Sequence, residues 1–149
     1  PFLVNGLAGI CVGQLADFAT NRHLCSILAV RRVATAVGLL GPAVCLMLLA
    51  AARSQEMALA AVTACSLMGS TTSSGYWANH ADITRRHAGL TFSISNTFAT
   101  IPGVVAGPLT AAIVHATGGS WLPVFALAAA INVVGACIYL RFASALYVL

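Results

Sequence analysis

The 149 residues contain no lysine and only three acids. Charged residues make up 7% of the chain, against roughly a quarter in soluble domains. So little charge cannot cover a water-facing surface, and 60% hydrophobic residues with a mean hydropathy of +0.94 fit a bilayer instead. The seven basic residues are all Arg and are scattered, for a net charge of +4. That pattern excludes a nucleic-acid-binding surface. None of the five cysteines forms a CxxC pair, and four sit inside apolar runs, where they read as small hydrophobes. The chain opens on Pro1 and shows no signal-peptide order, so it is expected to be a piece of a longer protein.

What is present is a series of long uncharged runs. Val33–Ala52 is uncharged for 20 residues, Met57–Asn79 for 23, Ala88–Val114 for 27 and Ala116–Leu140 for 25. About 20 apolar residues cross a bilayer as a helix, and helices are the open-chain solution in lipid. The chain therefore reads as all-α and multi-pass, with five transmembrane helices near 1–18, 33–52, 57–79, 88–114 and 121–142. Ser54 is expected to cap the third. Gly118-Gly119 should stop the fourth, and Ser120 with Pro123 should start the fifth. Arg22, Arg31, Arg32, Arg85, Arg86 and Arg141 fall on one side of this arrangement and Arg53 on the other. The positive-inside rule then makes the 19–32 and 80–87 loops and the C-terminus cytoplasmic.

None of these helices is a plain leucine anchor. The first carries Asn5 with Gly9 and Gly13, the second Gly38, Gly41 and Pro42. The third places Thr63, Ser66, Ser70, Ser73 and Trp77 on one face, and the fourth does the same with Ser93, Asn96, Thr97, Thr100, Gly103, Gly107 and Thr110. Pro102 and Pro108 interrupt that fourth helix. Such semi-polar helices either line a path or bind one another through small and hydroxyl residues.

The polar residues concentrate in Ser73–Gly89, where His80, Asp82, Arg85, Arg86 and His87 lie within eight positions. Four readings are open. As a gate, Asp82 pairs with Arg85 or reaches the loop carrying Asp17 and Arg22. As a proton site, His80 titrates. As a metal site, His80, Asp82 and His87 act as ligands. As a solvated turn, they do nothing specific.

Two motifs carry a family resemblance. Gly13-Gln14-Leu15-Ala16-Asp17, followed by Arg22, Arg31 and Arg32, is similar to the loop signature of the major facilitator superfamily. Ser74-Gly75-Tyr76, Asn79-His80-Ala81-Asp82-Ile83, Ala88-Gly89, Ile94-Ser95-Asn96-Thr97, Thr100 and Gly103 resemble a run found in its anion:cation symporter group. Gly41-Pro42-Ala43 also fits that group. The chain departs from the run at Thr84-Arg85-Arg86-His87, where Ala-Pro-Arg and an aromatic residue are usual, and at Phe92-Ser93.

The resemblance implies helices eight to twelve of a twelve-helix fold, a partial C-terminal six-helix bundle lacking its N-terminal half. It implies secondary active transport of inorganic phosphate or organic anions by alternating access, coupled to Na+ or H+, and no enzyme activity or cofactor. The substrate path would run along Asn5, Ser66, Ser70, Ser73, Ser93, Asn96 and Thr100. The cytoplasmic gate would use Asp17, Arg22, Asn79, His80, Asp82 and Arg85. No path residue is cationic, so the main anion-binding Arg is expected in the missing half. Partners would be a small anion, the bilayer and that missing half, with no nucleic acid. The alternatives are a metal-dependent membrane enzyme using His80, Asp82 and His87, or a non-transporting assembly subunit.

Overall fold

The structure, a computed structural model, describes residues 2–84 and 86–146, with Phe2 described by its backbone alone. Among the described residues six α-helices follow one another: α1 Phe2–Asn21, α2 Ile27–Ala50, α3 Gln55–Gly69, α4 Tyr76–Ile83, α5 Ala88–Ala116 and α6 Leu122–Phe142. A short 3-10 turn, Ser70–Ser73, joins α3 to α4. Among the described residues, α1, α2, α5 and α6 are long and apolar enough to cross a membrane. Large apolar side chains such as Leu3, Val104 and Phe142 face outward. In water such a surface would be an aggregation liability, whereas lipid accepts it. The chain is a multi-pass integral membrane protein.

The caps follow local chemistry. Ser54 Oγ accepts a hydrogen bond from the Met57 amide at 3.2 Å and starts α3. Gly118 and Gly119 adopt φ of 63° and 93°, which ends α5 without a Cβ penalty. Pro123 stands in the first turn of α6, where its missing N–H costs nothing. Helix α2 begins at Ile27, six positions before the expected Val33, because Ser26 caps it through the Ala29 amide. Arg31 and Arg32 stay inside that helix, since their charged heads find partners on α4 and just beyond α6. The charge pattern therefore marked the wrong boundary.

The expected single helix over 57–79 is broken. The hydroxyls of Ser70, Thr71, Thr72 and Ser73 donate to the carbonyls of Leu67, Met68, Gly69 and Ser70, each at 2.7–2.8 Å. Four successive back-bonds of this kind compete with the α-helical ladder and tighten it to 3-10. The Thr71 hydroxyl also stands 2.8 Å from the Ala34 carbonyl of α2 and shares its one proton between the two carbonyls, which ties the turn to its neighbour.

Helix α2 is the centre of the bundle, with Thr35, Gly38, Pro42, Ala43 and Cys45 buried. It packs on α6 along one side and on α3 and the 3-10 turn along another. Glycines make that second seam close. A Cβ at Gly38 would sit 2.7 Å from Thr71 Oγ1 and 3.0 Å from the Thr72 amide nitrogen. Such small-residue contact is how helices associate in lipid, where no hydrophobic force drives them together. Helix α1 lies against the 3-10 turn and α3, while α5 meets α4 and the edge of α6 and buries no residue.

Candidate functional site

Two features converge on α4. The first is an ion pair. Arg31 Nε donates to Asp82 Oδ2 at 2.6 Å and Arg31 Nη2 to Asp82 Oδ1 at 3.2 Å. Arg31 Nη1 donates to the Ser74 carbonyl at 2.9 Å. One guanidinium thus clamps both ends of α4: the broken backbone before it and the carboxylate in its last turn. The fork matches a carboxylate in a way that an ammonium cannot. Its charge also offsets the cost of an acid at a helix C-terminus. The two side chains are only 14% and 16% exposed, so the pair is far less hydrated than an ordinary surface bridge. Arg32, one residue on and rotated about 100° around the helix, donates instead to the Ala143 carbonyl beyond α6 at 3.1 Å.

The second feature is a cleft of about 340 Å³ between α4, α5 and α6. Helix α4 contributes Tyr76, Trp77, Asn79, His80 and Ile83; α5 contributes Phe92, Ser95, Asn96 and Ala99; and α6 contributes Tyr139. Trp77 lies 5.4 Å from Phe92, His80 meets the same ring edge-on at 5.8 Å, and Tyr76 meets Tyr139 at 6.5 Å. These separations are those of interacting aromatic pairs. Asn79 is buried, and its Oδ1 has no hydrogen-bond partner among the described residues. The cleft falls within the size range of small-molecule sites.

The sequence-derived site residues separate into several places. Asn79, His80 and Asn96 line the cleft, and Asp82 holds Arg31. Arg85 lies outside the described residues. Asp17 is exposed, and Arg22 stacks over the Phe18 ring at 5.5 Å, so neither pairs with Asp82. Asp82 is held by Arg31, whose fork occupies both carboxylate oxygens, and not by the expected Arg22.

Asn5 donates to the Ser66 carbonyl at 3.2 Å across α1 and α3, and Ser73 faces Gly9 of α1. Ser66, Ser70, Ser73, Ser93 and Thr100 spend their hydroxyl protons on carbonyls of their own segments. The expected path is therefore two separate groups, one on the α1–α3 seam and one on α5. Only Asn96 of the second group reaches the cleft.

Sequence reasoning missed Tyr76, Phe92, Ser95 and Tyr139 as cleft residues. The i, i+3, i+4 spacing of Tyr76, Asn79 and His80, repeated in Phe92, Ser95 and Asn96, was the available signal. Tyr139 had none. Among the described residues, no three His, Cys, Asp or Glu side chains are grouped to hold a metal. The ligand set required by the metalloenzyme alternative is thus not assembled there.

No family model matches the chain. It is similar to human sialin, at 42% identity over 148 residues, covering 96% of this chain and 29% of sialin. It is similar to mouse sodium-dependent phosphate transport protein 3, at 32% over 149 residues, covering 97% of this chain and 31% of that protein. It is also similar to the chloroplastic ascorbate transporter of Arabidopsis thaliana, at 32% over 144 residues, with 97% and 26% covered. The chain spans less than a third of the length of these relatives. The shared sequence runs through both motifs and almost every described helix, and on that ground the chain belongs to the anion:cation symporter group of the major facilitator superfamily.

Proposed function

We propose that this chain is the anion-transporting, gate-bearing part of a secondary active transporter for inorganic phosphate or an organic anion, working by alternating access. The observation that carries the reading is the Arg31 clamp on α4. It joins the ion pair to a helix that is already broken at Ser70–Gly75 and that forms one wall of the cleft. A bistable element of this kind, held by one desolvated ion pair beside a solute-sized cleft, is what a gate requires. The names of the relatives, which include a phosphate transport protein and an ascorbate transporter, support the same class of cargo.

In this reading Arg31, Asp82 and the α4 backbone form the cytoplasmic latch, with Asn79 and His80 behind it. Asp17 and Arg22 belong to the same rim. The C-terminus after Phe142 lies on the cytoplasmic side, together with Arg141. Helix α5, which buries nothing here, closes against further helices of the whole protein, and these supply the cationic anion site. Na+ or H+ drives the cycle. Reconstitution of the intact gene product into vesicles, with phosphate, glutamate and sialate offered under imposed sodium, pH and potential gradients, tests this. Gradient-driven uptake of one of them is expected. Absence of uptake of any of the three, with correctly inserted protein, overturns it.

A further inference from the structure

Arg31 and Thr35 lie one turn apart on one face of α2, and Gly75, Asn79 and Asp82 share a face of α4 and its N-cap. Arg31 holds Asp82, while Thr35 packs against Gly75. The two helices therefore run antiparallel along this seam, with Asn79 between its ends. One turn behind the ion pair the seam is polar but unpaired. Among the described residues, Thr35 Oγ1, Asn79 Oδ1 and the Tyr139 hydroxyl of α6 are buried without a hydrogen-bond partner. The Tyr139 ring lines the cleft and meets Tyr76 edge-on. Its hydroxyl is turned away into the packing, beside Thr35 and within electrostatic reach of Arg31 and Asp82. Thr35 and Tyr139 can satisfy one another only once, which leaves one O–H proton of the pair without an acceptor. The Arg31 guanidinium likewise carries N–H groups beyond the three spent on Asp82 and Ser74. Stranded polar atoms in a buried seam cost stability. That cost is recovered where a second arrangement of the same helices uses them.

We propose that Tyr139 is a positioning residue of the latch: its hydroxyl takes the Asp82 carboxylate when Arg31 lets go. A carboxylate parted from its arginine inside a packed seam is strongly disfavoured, so release needs a donor already in place. Tyr139, backed by Thr35, supplies that donor, and Asn79 Oδ1 offers the freed guanidinium an acceptor. Every proton stays on its own residue; only hydrogen bonds change hands. Arg31–Asp82 and Tyr139–Asp82 are then two discrete positions of α4, and such discreteness makes a gate bistable. This rests on the transport reading and specifies how its latch opens. It also accounts for Tyr at position 139, since ring packing on Tyr76 alone needs no hydroxyl.

Tyr139→Phe keeps the ring and removes the donor. The test uses the intact gene product in lipid vesicles, with native cysteines replaced and spin labels carried at Ala81→Cys of α4 and Val44→Cys of α2, both exposed positions. Pulsed electron paramagnetic resonance reads the distance between the labels, and uptake is read separately. Arg31→Gln, which removes the latch, identifies the released distance. Adding Tyr139→Phe is expected to lower the released population about tenfold, and Tyr139→Phe alone to lower kcat about tenfold with KM unchanged. Thermal stability should hold or rise, because the latched state loses only a stranded hydroxyl. In an Asp82→Asn background the effect of Tyr139→Phe on kcat should shrink, since its charged acceptor is gone. A loss of thermal stability overturns the proposal, for it would mean that the hydroxyl is bonded in the latched state, to water or to protein. An undiminished effect in Asp82→Asn overturns it too, as does the lack of a second distance in Arg31→Gln. Thr35→Val, of the same shape, puts the question to the second hydroxyl should Tyr139→Phe not fold. A Tyr139-dependent distance without uptake of any solute would sink transport and leave the handover standing. Uptake with distances indifferent to Tyr139→Phe would do the reverse.

Discussion

Arg31 on α2 and Asp82 on α4 are 51 positions apart in the chain and share two hydrogen bonds, at 2.6 and 3.2 Å. The same guanidinium holds the Ser74 carbonyl on the far side of α4. If this clamp is a latch, its two halves act as one unit. Asp82→Asn and Arg31→Gln should each lower uptake by about tenfold at normal membrane abundance. Together they should cost little more than either alone, a coupling of about 1–3 kcal/mol for residues in one network. Additive losses in the double variant would show that the two side chains act separately.

Gly75 packs against Thr35, the buried residue of α2 that is 0% exposed. A Cβ there would meet Thr35 Oγ1 and stand 2.8 Å from the Thr35 amide nitrogen, which cannot move aside without moving α2. Gly75→Ala should therefore destabilise the bundle by about 1–3 kcal/mol. Gly103→Ala, where a Cβ meets nothing within 4 Å, should be nearly silent by that criterion. Thermal unfolding of the purified protein in detergent compares the two.

Asn96 and Ser93 are both polar residues of α5, but only Asn96 lines the cleft, while Ser93 donates to the Gly89 carbonyl of its own helix at 2.7 Å. Asn96→Ala should raise the KM for the transported solute several-fold, and Ser93→Ala should leave it unchanged. Equal effects would indicate that both residues serve helix packing.

Ser54 caps α3 from the side of the bundle opposite the latch. Its loss in Ser54→Ala should cost about 1 kcal/mol of stability with no change in KM. A changed KM would mean that the two ends of the α3–α4 segment are coupled.

The all-helical, multi-pass class, the Ser54 cap and the Gly118-Gly119 stop were legible because each depends on local chemistry: uncharged length, a capping hydroxyl, a glycine pair at positive φ. The break at Ser70–Gly75 was not. On a helical wheel Ser66, Ser70 and Ser73 read as one polar face, and nothing in that periodicity shows that four consecutive hydroxyls have turned back onto their own carbonyls. The motif named Asp82 but not Arg31. Their pairing depends on how close α2 lies to α4. That distance is set by glycines more than 30 positions apart, Gly38 and Gly75. Tyr139 enters the cleft for the same non-local reason, carried there by the packing of α6 on α2.

The 3-10 turn has an angular consequence. From Gly75 to Asp82 the chain rises about 10 Å at 1.5 Å per helical residue. A tilt of α4 by about 10° about the turn would thus displace the carboxylate by about 2 Å, more than a hydrogen bond tolerates. Because the turn is already non-α, such a tilt breaks no α-helical bond within α4. The ion pair therefore turns a small change in the orientation of α4 into a loss of hydrogen-bond distance. The eight residues Tyr76–Ile83 form a short lever whose far end reports small rotations at its pivot.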